Sequence, residues 1–196
     1  MLINFRIQSK QVCSLDFEKV DELQYKERQS STLMFNSNVI VFRSSHHIIV
    51  PWDPKDAVDP RLSAIRDARG YSYADIITVH PDHLPGYEDK VKSFFEEHIH
   101  DAEEIRYVIS GSGFFDVRDG EDKWVRVHVK KGDLMTLPEG IYHRFTTDED
   151  DMIHAMRLFV GQPVWTPFNR PCEEHPSRKK FVELYMVKNE EKKADE

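Results

Sequence analysis

The sequence predicts a mainly antiparallel β fold, a sandwich or barrel of short strands with a few peripheral helices. Three observations support this prediction. Short apolar, β-branched segments follow one another from His98 to Val160, turn-forming residues separate them, and helical periodicity is confined to the region before His98. The length of 196 residues fits one domain with a sizeable core.

The first elements are two short strands and a helix. The β-branched runs at 39–42 and 48–50 predict the strands. Asp59 followed by Pro60 is a helix start signal, and Gly70 is a stop signal, so a first amphipathic helix is predicted between them.

A second helix is predicted to begin near residues 84–85 and to end before His98. Its apolar positions recur at helical spacing and place one aromatic face toward a core; they are Tyr87, Val91, Phe94 and Phe95.

Six strands are predicted after His98. They are residues 105–109, 113–117, 123–129, 134–137, 142–146 and 155–160. Turn signals lie at 111–113, 118–120, 131–133 and 138–140. The first of these, Gly-Ser-Gly, lacks the helix and lysine of a phosphate-binding loop, so we predict a hairpin turn there.

Three regions are predicted along the chain. Residues 1–45 are a divergent N-terminal extension with edge strands, residues 46–187 are the β-barrel domain, and residues 188–196 are a charged tail.

Composition and charge exclude several classes of function. The formal net charge of −8 argues against a nucleic-acid partner, because phosphate contacts need an excess of Lys and Arg. Cys13 and Cys172 lack the spacing of a disulfide framework or thiolate zinc site, which indicates a reducing compartment. The first residues lack the build of a secretory signal, and polar residues interrupt the apolar stretch 33–50. We therefore expect a cytoplasmic protein without membrane insertion.

Three histidines and one glutamate form a candidate metal site. His98 and His100 lie one residue apart, so in a strand both imidazoles point to the same face, and Glu104 follows after a tight turn. A Pro-x-Gly turn precedes His143 and presents it at the start of a strand. Such a set suits iron(II), nickel(II), manganese(II) or zinc(II), with positions left open for a bidentate ligand. The alternative is an exposed strand end that happens to carry two histidines.

The other histidines and Cys172 are predicted to have no role in the chemistry. The histidines lack a spacing that would gather them around an ion; they are His46, His47, His80, His83, His128, His154 and His175. Cys172 has no neighbouring base or orienting group of the kind that a nucleophile requires.

The two stretches that contain these ligands resemble the paired motifs of the cupin superfamily. Lys92 and Thr147 stand where those motifs have glycine and asparagine, and neither replaces a ligand. A more specific resemblance, to the acireductone dioxygenase family, covers about residues 59–171. It is carried by EEHIHDAEEIRYV at 96–108, GSGFFDVRD at 111–119, LPEGIYHRF at 137–145 and MRLFVG at 156–161.

The family resemblance implies a cupin jelly-roll barrel and a role for each matching residue. His98, His100, Glu104 and His143 match the metal ligands, which would hold one Fe(II) or Ni(II) per monomer. Arg106 matches an arginine near the bound substrate. Further pocket positions are matched by Phe94, Phe145 and Arg157, for which core packing and a structural ion pair are the alternatives.

The resemblance also implies a reaction, cleavage of acireductone by O2 in methionine salvage. The iron form would yield 4-methylthio-2-oxobutanoate and formate, and the nickel form 3-methylthiopropionate, formate and carbon monoxide. A monomer is expected, in the cytoplasm and also in the nucleus. Two alternatives stay open, a cupin enzyme with another substrate and a non-catalytic cupin that binds metal and a protein partner.

Overall fold

The computed structural model describes residues 40–43 and 60–186. Within them lie nine strands: β1 Ile40–Arg43, β2 Tyr73–Val79, β3 His98–Ile99, β4 Glu104–Arg118, β5 Trp124–Lys130, β6 Asp133–Leu137, β7 His143–Thr147, β8 Ile153–Phe159 and β9 Phe168–Asn169. The helices are α1 Pro60–Arg69, α2 Tyr87–Phe95 and α3 Pro176–Phe181, and a π-helical turn, Val182–Met186, continues α3. The predicted β-dominated antiparallel class is confirmed. None of the described helices is long and apolar enough to cross a membrane.

The strands form two antiparallel sheets that share the long strand β4. In the first sheet the order is β1–β6–β4–β8–β2, and in the second it is β5–β4–β7–β3–β9. The buried core draws on both sheets, with Val108, Met135 and Ala155 from the first and Phe115 and Val129 from the second. The two sheets therefore enclose a common interior, as in a barrel.

The predicted hairpin turn at 111–113 is wrong, because β4 runs through it as one strand of 15 residues. Gly111 has a φ of 73° there, and the pairing of β4 with β8 shifts register between Val108 and Ser110. A Cβ on Gly111 would lie 2.0 Å from the carbonyl oxygen of Met152. The glycine thus permits a close backbone approach at a bend where β4 leaves the first sheet and enters the second.

The other predicted elements agree with the structure to different degrees. The strand predicted at 39–42 is β1, one residue later, and the helix between Pro60 and Gly70 is α1. Helix α2 begins at Tyr87, two residues after the predicted start near 84–85. The strand at 48–50 and the tail at 188–196 lie outside the described residues. Strands β2 and β9 and helix α3 were not predicted.

Alternation along β4 decides which side chains enter the interior. Ile105 and Tyr107 pack in a second core with Leu62 of α1, so this face of the first sheet is covered by the helix. Because successive strand residues point to opposite faces, Glu104 and Arg106 point into the barrel.

Candidate metal centre

The three histidines and the glutamate predicted as ligands meet at one end of the barrel interior. His98 lies in β3, and His143, the first residue of β7, is its direct cross-strand partner. His100 follows β3, and Glu104 is the first residue of β4. Their donor atoms are close: Nε2 of His100 lies 3.2 Å and Nε2 of His143 3.3 Å from Oε2 of Glu104.

A backbone carbonyl fixes the orientation of each imidazole. Nδ1 of His98 lies 2.6 Å from the oxygen of Glu96, and Nδ1 of His143 lies 2.9 Å from the oxygen of Ile141. Nδ1 of His100 lies 3.0 Å from the oxygen of Thr166. A carbonyl oxygen can only accept, so each Nδ1 is the donor in this contact, and each Nε2 is the nitrogen that faces the site.

The donor set fits a divalent ion. The three imidazoles each offer a donor atom, and these atoms lie within 4.8 Å of one another. Two ligands at about 2.1 Å from an ion and at right angles are about 3.0 Å apart, close to the separations from Glu104 Oε2. Nε2 of His143 is also buried without a hydrogen-bond partner among the described residues, and Oε2 of Glu104 lies 3.3 Å from it. A bound ion would satisfy this atom.

The electrostatics of the cluster favour the ligand forms of His98 and Glu104. Burial lowers the pKa of His98 to about 4, and the neighbouring His143 adds to this effect. Burial alone would raise the pKa of Glu104. Arg106, His100 and His143 outweigh burial and hold the pKa of this carboxyl well below its usual value. Burial also opposes protonation of His100, but the neighbouring Glu104 raises the pKa of this imidazole above its ordinary value. The site therefore contains a neutral imidazole and a carboxylate, as cation binding requires.

The ligands border a cavity of about 220 Å³ between the two sheets. Most of its wall is apolar and includes Ile77, Val79, Phe94, Phe115, Phe145, Ile153 and Ala155. The polar wall carries Arg106 and Arg157, and Trp165, which is 36% exposed, also lines the cavity. A small molecule in this cavity would meet an ion-binding end, two guanidinium groups and an apolar surface.

All the predicted pocket residues lie in this cavity, each with contacts of its own. Phe94 and Phe145 meet edge to face, with ring centroids 6.4 Å apart. Nη2 of Arg106 lies 3.3 Å from Oε1 of Glu104. Arg157 forms a bidentate ion pair with Asp75, the structural alternative considered from the sequence. The ion pair and the place in the cavity are compatible, because the guanidinium still lines the wall.

Sequence reasoning missed Asp75, which lies in the unpredicted strand β2. Its partner Arg157 is 82 positions away in the chain, so no local spacing relates them. The Thr166 carbonyl that orients His100 was also missed, because no side-chain pattern in the sequence marks a backbone acceptor.

The described histidines outside this cluster have other surroundings. His154 bonds with Thr78, His128 packs on Phe114, and His175 lies between Phe168 and Asp101. His80 and His83 contact each other, with ring centroids 5.2 Å apart. His46 and His47 lie outside the described residues. Among the described residues, a single cluster brings three such donor groups within 4.8 Å of one another, and it is formed by His98, His100 and His143.

Comparison with known proteins identifies similar sequences and a similar fold. A family model described as the ARD/ARD′ family matches residues 10–167. Acireductone dioxygenase 2 of Physcomitrium patens is 62% identical over 65% of this chain and 66% of its own length. Acireductone dioxygenase of Gallus gallus is 58% identical over 64% of this chain and 70% of its own. The matched part thus spans about two thirds of these relatives.

A solved structure has the same fold. It is described as acireductone dioxygenase from Bacillus anthracis with a cadmium ion in the active centre. The TM-score is 0.57 with 24% sequence identity, over 66% of this chain and 82% of that one.

Proposed function

The chain belongs to the ARD/ARD′ family, and on that premise we propose that it is a metal-dependent dioxygenase that cleaves acireductone. Acireductone is 1,2-dihydroxy-5-(methylthio)pent-1-en-3-one, an ene-diol next to a ketone. Its reaction with one O2 yields 4-methylthio-2-oxobutanoate and formate, so that both oxygen atoms enter the products. The names of the similar proteins support the enzyme class.

One observation carries the proposal. Three imidazoles are oriented by backbone carbonyls so that their Nε2 atoms and Glu104 face the same end of a cavity whose wall carries Arg106. This arrangement provides an ion site and a fixed positive charge beside it, which is what a chelating, anionic ene-diol requires.

His98, His100, Glu104 and His143 would hold Fe(II) or Ni(II), one ion per chain, because imidazole and carboxylate ligands suit both. When bound, the ion supplies open positions for two adjacent substrate oxygens and a route for electrons to O2. With iron(II) the expected products are the keto acid and formate. With nickel(II) they are 3-methylthiopropionate, formate and carbon monoxide.

The chain's own residues bind and orient the substrate. The partly buried guanidinium of Arg106 would hold an enolate oxygen by a charge-assisted hydrogen bond and stabilise the charge that deprotonation leaves. Glu104, 3.3 Å from this guanidinium, holds it in place. Phe94 and Phe145 would exclude water and bound the space for the methylthio chain. Arg157 supplies a second cation on the same wall.

This activity would place the protein in methionine salvage, with acireductone and O2 as its partners. We propose that it acts as a monomer in the cytoplasm and also in the nucleus, without nucleic-acid or membrane partners.

The test is oxygen uptake with product analysis. Metal-depleted protein is loaded anaerobically with one equivalent of Fe(II) or Ni(II) and mixed with acireductone in air. Oxygen consumption with formate and the product expected for each metal supports the proposal, provided that His98→Ala, folded by circular dichroism, gives neither. Stoichiometric metal binding by the unaltered protein without oxygen consumption would overturn it and favour a non-catalytic metal-binding cupin.

A further inference from the structure

Charged side chains of three neighbouring strands form a row, of which Glu104, Arg106 and Arg157 line the cavity and Asp75 lies next to Arg157. Asp75 in β2 is the cross-strand partner of Arg157 in β8, and Arg157 is the partner of Arg106 in β4. Glu104, two residues before Arg106, completes the row. The order is therefore carboxylate, guanidinium, guanidinium, carboxylate, with the metal ligands at the Glu104 end.

Asp75 holds Arg157 in one orientation. Nε and Nη2 of Arg157 donate to the two oxygens of Asp75, at 2.7 Å and 2.5 Å. The hydroxyl of Tyr73 donates to Oδ2 of Asp75 at 3.0 Å. The guanidinium carbon lies 4.1 Å from the ring centroid of Trp165. One edge and one face of the Arg157 guanidinium are thus engaged, and its place on the cavity wall is fixed.

The two carboxylates offset the repulsion between the two arginines on this wall. Like charges directly opposite on adjacent strands repel and destabilise the pairing. Glu104 compensates Arg106, and Asp75 compensates Arg157. The four side chains together carry no net charge, so a divalent ion would leave the cavity with two positive charges. This net charge of two positive units would balance the two negative charges of an ene-diol that has lost two protons.

We propose that Asp75 is a positioning residue, which holds the Arg157 guanidinium beside Arg106 and prevents it from binding monoanions as a free cation. This inference rests on the proposed function, because it concerns how the cavity selects a dianionic substrate over the monoanionic carboxylates that the reaction releases.

The test compares Asp75→Asn with the unaltered protein in two measurements. We expect kcat/KM for acireductone to fall about tenfold, since the substitution weakens a charge-assisted bidentate contact. We also expect the inhibition constant of 4-methylthio-2-oxobutanoate to fall several-fold, because the released guanidinium can bind its carboxylate. Metal content per chain should stay unchanged, which separates the effect from loss of the ion.

Two further variants identify the cause. Asp116→Asn is the matched control: Asp116 is a buried carboxylate paired with Arg126 and Arg144, away from the cavity, so its loss should lower Tm and leave both kinetic constants unchanged. In an Arg157→Gln background, Asp75→Asn should have no additional effect on the inhibition constant. If Asp75→Asn alone does not fold, Asp75→Glu, which keeps the charge and alters its reach, replaces it in both measurements.

The outcomes separate this inference from the proposed function. An unaltered protein that does not consume acireductone would refute the proposed function. An active protein whose inhibition constant is the same with Asp75→Asn, or which responds to Asp75→Asn equally without Arg157, would refute only the role of Asp75.

Discussion

His98 and His143 are directly opposed residues in the ladder between β3 and β7, and their ring centroids are 4.5 Å apart. The relative position of two proposed ligands is therefore set by strand register. A shift of one residue would move His143 to the other face of β7, so the ladder and the site must form together. His100 lies beyond the ladder and depends instead on the carbonyl of Thr166.

Replacing His143 should remove the metal without unfolding the chain. We expect His143→Gln to retain less than about a tenth of the metal bound by the unaltered protein, because it removes a buried donor from a small ligand set. Metal content after gel filtration, measured by elemental analysis, checks this. Far-UV circular dichroism should stay close to that of the unaltered protein.

The matched control is His128→Gln, which changes an exposed histidine on β5 that packs on Phe114. It should retain full metal content. Equal metal content in the two variants would contradict the assignment of His143 as a ligand.

Removal of the ion should lower Tm but leave the β fold intact. A ligand at 100 times its dissociation constant stabilises a protein by about 2.7 kcal/mol. For a chain of this size that corresponds to a Tm difference of about 5–11 °C. Differential scanning calorimetry with and without chelator measures it, and His143→Gln should show no such difference. Loss of the circular dichroism signal on chelation would instead indicate a structural ion.

The clustering of the candidate metal ligands was predictable from sequence because their spacing is local. His98, His100 and Glu104 fall within seven consecutive residues, and a Pro-x-Gly turn marks the approach to His143. The strands β5 and β6 were predictable for a related reason. Their β-branched and apolar residues are bounded by turn residues, and in β5 buried and exposed positions alternate over its second half.

What sequence reasoning missed lacks such local signals. Strand β2 has the sequence YADIITV, in which apolar and polar positions do not alternate, and six of its seven residues are half-buried. A strand of this kind has no periodic pattern that would predict it. The hairpin at 111–113 was wrong because a glycine required by the close approach of Met152 has the same sequence signature as one in a turn. The contacts of Asp75 depend on tertiary pairing alone.

The unfolding free energy should fall on acidification partly because of His154. Burial lowers the pKa of this imidazole below its ordinary value of 6.5, and its Nδ1 forms a 2.7 Å hydrogen bond with Thr78 Oγ1. The unfolded chain therefore binds a proton more readily than the folded chain. The stability contribution is complete above about pH 6.5 and is lost as pH falls through the folded-state pKa.

Urea unfolding between pH 7.5 and pH 5, with chelator present so that metal binding does not contribute, measures this effect. The slope of unfolding free energy against pH should be smaller in His154→Gln, by at most about 1.4 kcal/mol per pH unit. Parallel slopes for the two proteins would show that His154 does not contribute.

Gly140 contacts both the backbone of His100 and the start of α3. An added methyl group at Gly140 should disturb both contacts. The N–H of Gly140 donates to the carbonyl of His100 at 3.0 Å, its φ is 76°, and a Cβ would lie 2.1 Å from the carbonyl oxygen of Ser177. Because that atom belongs to the backbone at the start of α3, it cannot move without shifting the helix. Gly140→Ala should therefore lower the unfolding free energy by about 3 kcal/mol or more and weaken metal binding.

Gly132→Ala separates steric overlap from backbone strain. Gly132 also has a positive φ, 88°, but among the described residues no atom beyond its chain neighbours lies within 4 Å of the Cβ that alanine would add. This control should cost only about 1–2 kcal/mol and leave the metal dissociation constant unchanged. Urea unfolding and competitive metal titration of both variants make the comparison. If Gly140→Ala lowered the unfolding free energy no more than Gly132→Ala, the close packing of Gly140 on Ser177 would not be important for holding α3 against the turn before His143.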